Sequence, residues 1–175
     1  MSTPRPSSIF AGVLAAVAVL GFATESFAAS PRPAPDIAFG GIGGKKTLRS
    51  LRGQPVVVVI AKSPKARAFR KQMKVLAPIY QEFASRNVVF VAAFAEQEGE
   101  VQSNIPFTLA SNGPGAASAY DFRGDIVVAV IGKDGNLDLV TDKVVPAYRV
   151  REVIQNSFEV QNQARKERPK GPPQP

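Results

Sequence analysis

Ten basic side chains fall between Lys45 and Lys74 with no acid among them: Lys45, Lys46, Arg49, Arg52, Lys62, Lys65, Arg67, Arg70, Lys71 and Lys74. The chemistry such a cluster can do is recognition of anions. Ser63-Pro64 has the form of a helix start, because serine accepts from free backbone N–H groups and proline lacks one that would go unused. Free N–H groups and the helix dipole there would add to the positive charge, with Lys62, Ser63 and Lys65 as the focus of an anion-binding surface. At about 100° per residue, Arg67, Arg70, Lys71 and Lys74 fall opposite the apolar stripe Phe69, Met73, Leu76, Tyr80 and Phe83, on a ridge that faces water. The same residues also read as an ordinary capped helix with a solvated face. Nucleic acid suits the ridge less than other anions, since no aromatics are interleaved with the bases; anionic lipid headgroups and cell-wall polymers remain open.

Other chemistry is narrowed by absence. The chain has 175 residues with 0 Cys and 0 His. There is no disulfide, thiol nucleophile, C-x-x-C couple or thiolate metal site, and the usual general base is missing. An enzyme would have to work with Asp, Glu, Lys, Tyr, Ser or Thr, and no paired acids support one. The expectation is a non-catalytic protein without cofactor or metal. Glu96, Glu98 and Glu100 alternate after a strand end but read as an acidic surface loop, since a hard cation wants more oxygens in a tighter loop. Asp134-Gly135-Asn136-Leu137-Asp138 resembles a calcium loop at a glance, yet a hairpin turn explains it. Tyr120, Arg123 and Asp125 could line a site edge; they also read as one packed ring and two surface charges.

The net charge of +8 favours an anionic ligand or an envelope protein as partner, and a 45% apolar share allows one core. Residues 1–29 read as an export signal: Arg5, an apolar run from Ile9 to Ala23, and small residues at Ser26-Phe27-Ala28, with cleavage after Ala28 or Ala29. The run is shorter than the roughly 20 residues of a membrane span, so a periplasmic or secreted protein is expected. Residues 30–35 form a Pro-rich leader, 36–164 the domain, and 165–175 a disordered basic tail.

Positioning these residues falls to alternating strands and helices. Pro55 to Ala61 is a β-branched run that predicts a strand buried on both faces, followed by a helix from Ser63 to about Ser85. Asn87–Ala95 predicts a second central strand, Ile105–Ala110 a shorter one, and Gly113–Phe122 a short helix. Asp125–Gly132 and Leu137–Lys143 form a hairpin across Lys133-Asp134-Gly135-Asn136. A last helix from Pro146 to about Lys166 turns Val150, Val153, Ile154 and Phe158 inward. The order argues an α/β fold: a central mixed sheet with helices on both faces.

Two stretches resemble the thioredoxin-like superfamily, in its branch of peroxiredoxins and exported thiol reductases. Ala34-Pro35-Asp36, then Gly43 to Lys46, then Leu48 to Val57 is similar to that branch's lead-in to the first core strand. Tyr120-Asp121-Phe122-Arg123-Gly124, Ile126–Ile131 and Lys133-Asp134-Gly135 resemble its second signature. The resemblance implies a thioredoxin-like fold over roughly residues 34–160. It also implies a reactive Cys at the helix start and a cis-proline opposite. This chain has Ala61-Lys62-Ser63-Pro64 at the first place and Gly124-Asp125-Ile126 at the second. The resemblance therefore implies a scaffold without its redox site, whose surface near Ser63, the basic helix and residues 123–126 would meet a partner. An alternative is a thiol oxidoreductase or peroxiredoxin by descent only, with a degenerate site.

Overall fold

The computed structural model describes residues 32–41, 44–97, 99, 101 and 103–167. The export signal, Ser30 and Pro31 of the leader, Glu98, Glu100, residues 168–175 and the side chains beyond Ser157, including Phe158, lie outside the described residues.

The chain opens with a hairpin of β1 (Ala38–Gly41) and β2 (Gly44–Thr47), Ala38 opposite Thr47. Its glycine- and lysine-rich sequence gives no alternation from which to predict it. A 3-10 turn over Leu48–Leu51 leads to β3 (Val56–Ala61), whose six residues are all buried. Their parity divides the core in two. Val57, Val59 and Ala61 join the cluster of α1 (Arg67–Ala84), while Val56, Val58 and Ile60 join Ile37, Phe39 and Leu48 from the hairpin side. Burying a valine is worth about 2 kcal/mol, so a strand covered on both faces reads as one apolar run.

β4 (Val89–Phe94) pairs parallel with β3, and β5 (Thr108–Leu109) parallel with β4. β5 has two residues where Ile105–Ala110 was expected, because Pro106 has no N–H for the ladder and Ile105 N–H turns to Ser103 Oγ. α2 spans Gly113–Ala119, ending before the expected Phe122 because Asp121 takes a left-handed φ of 53°. β6 (Ile126–Ile131) pairs antiparallel with β3, and β7 (Leu137–Thr141) with β6. The sheet order is β5-β4-β3-β6-β7. The turn between β6 and β7 is closed by Asp134, which accepts from Asn136 N–H and side-chain amide, with Gly135 at φ +84°. α3 (Ala147–Glu167) packs with α1 on one face of the sheet and includes the first residues of the segment expected to be disordered. α2 and the hairpin lie on the other. The mixed α/β sheet with helices on both faces is therefore as expected.

The leader also belongs to the sheet. Pro33 bridges Asn136, Leu137 N–H donates to the Arg32 carbonyl, and Ala34 N–H donates to Gly135.

The start of α1 corrects the sequence reading. Ser63 does not cap it: the N-cap is Ala66, without a side-chain bond, and the helix begins at Arg67. The cause lies in β4. Ala95 N–H donates to the Ala61 carbonyl, and Glu96 and Gln97 N–H donate to the Lys62 carbonyl, holding this end of β3 and the bend at Lys62 against the segment after β4. Ser63 to Ala66 then forms a turn of its own, Ala66 N–H donating to the Ser63 carbonyl. Downstream the stripe is as predicted, with Phe69, Met73, Leu76 and Phe83 buried and Tyr80 half-buried. Two residues outside the stripe, Ile79 and Gln72, are buried as well.

Candidate functional site

The chain runs from β3 to β4 on one side and returns through α2 to β6 on the other. The strand order therefore splits between β3 and β6, at the carboxyl end of β3, where α/β sheets place ligands. Ala61 is opposite Ile126, so Lys62 and Asp125 meet just beyond the last paired residues. Lys62 Nζ lies 3.9 Å from Asp125 Oδ1, both side chains exposed. Ser63 is half-buried beside them and, among the described residues, makes no side-chain hydrogen bond. With no His in the chain and Lys62 held by a carboxylate, nothing among the described residues is set to draw a proton from the Ser63 hydroxyl. No cis peptide bond occurs among the described residues.

Arg123 is exposed and bound to Asp121 at 2.8 Å, leaving little of its charge for a ligand. Arg123 and Tyr120 line a depression of about 610 Å³ with Gly124, Val127, Val140 and Asp142; Asp125 is not part of it. Tyr120 packs: it is buried, its hydroxyl donates to the Pro35 carbonyl, and burial with the nearby Asp36 carboxylate pushes its pKa far up. Arg32 also lines the depression, a residue that drew no attention in the sequence. The leader's hold on β7 brings it there, and no local pattern signals a pairing so distant.

The run of ten bases is not one cluster. β3 carries the chain the length of the sheet, so Arg52, before β3, stands against Gly135 at the far end, while Lys62 stands beside Asp125. Arg49 pairs with Asp36 at 3.6 Å. What remains together is Lys65 and the face of α1. Arg67, Arg70, Lys71 and Lys74 are all exposed and, among the described residues, form no ion pair. The second half of α1 differs: Glu82 binds Arg86, in the turn just past the helix, and Arg151 of α3. The first turn of α1 carries no acid. Cations near a helix N-terminus oppose the dipole, and Arg67 with Lys71 and Arg70 with Lys74 are like-charge pairs four residues apart. The ridge therefore costs the helix stability.

Metal chemistry gains no support: among the described residues no three acidic side chains gather as ligands. Glu96 is exposed, and its backbone serves the Lys62 carbonyl. No described helix is long and apolar enough to cross a membrane.

No protein-family profile matches the chain, and no curated protein matches its sequence. Solved structures do match. A thiol:disulfide interchange protein of the thioredoxin family from Chlorobium tepidum aligns with a TM-score of 0.57 at 17% identity, over 74% of this chain and 98% of that one. The thioredoxin domain of a thiol-disulfide oxidoreductase from Bacteroides vulgatus gives 0.55 at 15%, over 75% and 96%. Thioredoxin peroxidase I of Plasmodium yoelii gives 0.54 at 15%, over 81% and 95%. The likeness lies in the fold, and it spans nearly the whole of each neighbour. This chain has a thioredoxin-like fold built without a cysteine.

Proposed function

We propose that the protein is an exported, non-catalytic binding module that meets an anionic ligand or envelope partner through the basic face of α1. Lys62, Ser63 and Lys65 lead into that face, and Asp125 joins them through Lys62; Arg123 lines the depression beside Tyr120 and Val127. The observation that carries the reading is the set of four cations at Arg67, Arg70, Lys71 and Lys74, without an ion pair among the described residues and placed where they weaken their own helix. Charges that lower stability without packing or pairing fit a role outside the fold. Retention on phosphocellulose at moderate salt checks it. The wild-type domain is retained, and replacing the four cations with Gln releases it early; unchanged retention removes the face from consideration.

The interchange proteins and the peroxidase among the structural neighbours favour a second reading, an oxidoreductase by descent that borrows a partner's thiol. A binding module turns over neither disulfide nor peroxide with any dithiol donor. A reproducible rate abolished by Ser63→Ala decides for the second reading.

A further inference from the structure

We infer that the ridge on α1 receives a linear acidic polysaccharide, a polymer with a carboxylate or sulfate on each successive sugar. The inference rests on the binding-module reading and narrows its partner. Arg67, Arg70, Lys71 and Lys74 stand at i, i+3, i+4 and i+7, so they form successive cationic pairs one turn apart, about 5.4 Å along the axis. Their charged ends radiate from a convex cylinder. No single point is within reach of all four, and a small anion such as phosphate gains from one or two at most.

A polymer laid along the axis meets every one of them. The helix pitch is close to the length of a sugar ring, so a stretch of two to three sugars spans the four cations and brings charges to both ends of the ridge. Beyond Lys74 the same face continues through Ala77 and Pro78, exposed and uncharged, until Glu82, whose carboxylate is taken up by Arg86 and Arg151. Lys65 extends it at the other end.

The competing surfaces fit less well. A bilayer holds an interfacial helix by its apolar side chains, but the exposed large hydrophobics among the described residues are Leu109, Val140 and Tyr148, none of them on α1. Single-stranded nucleic acid wants aromatic platforms. The aromatics of α1 are turned inward, Phe69 against Phe94 and Tyr80 against Phe90.

Calorimetric titration with oligogalacturonides from monomer to octamer tests the inference, beside inorganic phosphate, phosphatidylglycerol vesicles and oligothymidylate. Affinity rises roughly tenfold or more between dimer and tetramer and then levels off, because the four cations span about 10 Å. Arg70→Gln with Lys74→Gln weakens the octamer roughly tenfold and lowers the slope of log K against log salt by roughly one per cation. Both positions are exposed, and an unchanged circular dichroism spectrum verifies the fold. Equal affinity for monomer and octamer, or tighter binding of vesicles or oligothymidylate, overturns the polysaccharide inference and leaves the anion-binding face standing. No binding to any probe, together with unchanged phosphocellulose retention of the quadruple Gln variant, overturns both.

Discussion

Gln72 does for Val145 what a neighbouring strand would do: its Nε2 donates to the Val145 carbonyl and its Oε1 accepts from the Val145 N–H. It is fully buried, and those bonds tie α1 to the segment before α3. Gln72→Leu keeps the bulk but leaves both backbone groups unpaired, and is expected to cost about 2–4 kcal/mol. A urea titration reads this as a lower midpoint at an unchanged slope. The helical period sets Gln72 beside Leu76 and Phe83, but nothing local shows what would satisfy its amide there, because its partner lies 73 positions away. Asp138 carries a pH effect instead. Burial raises its pKa, Asp134 raises it further, and the hydrogen bond from Ser157 works against both. Its folded pKa is thus above the unfolded value, so what it contributes is present in acid and lost as pH rises through the folded pKa. Asp138→Asn is expected to be the more stable protein at neutral pH, with the difference shrinking below the carboxylate range; thermal melts across pH check it.

For the elements, the strands β3, β4 and β6 were legible because each is buried on both faces and therefore reads as a single apolar run. α1 was legible in its stripe and not in its start. A Ser-Pro pair offers a cap, but the hydrogen bonds from Ala95, Glu96 and Gln97 claim the preceding carbonyls, and that competition is tertiary. The same helix offers a test that separates stability from binding. Lys71→Glu places an acid among the ridge cations, within reach of Arg67 and Lys74, and removes a like-charge pair. A gain of about 0.5–1 kcal/mol in unfolding free energy is expected, together with weaker phosphocellulose retention. A substitution that destabilises the fold and leaves retention unchanged contradicts both the local electrostatics and the proposed role.

Across the whole molecule, sequence proximity misled where a strand intervened. The bases before and after β3 look like one cluster on paper, yet the strand separates them by its length. The β1-β2 hairpin stayed hidden for another reason: its glycines and lysines follow no alternation, and among the described side chains Phe39 of β1, with Ile37 before it, is what is sunk in the core. The proposed export is checked by mass spectrometry of the protein recovered from outside the cytoplasm, whose first residue is expected to be Ala29 or Ser30; an intact amino-terminal segment there contradicts it. The leader that follows has a further effect. Arg32 and Ala34 turn their backbone groups toward β7, so alternation points the backbone of Pro33 outward. Proline has no N–H to offer there, and Pro35 repeats the gap two residues on. The turn end of β7 is thereby closed to the strand of another copy, a local safeguard against edge-to-edge pairing in a chain with no disulfide.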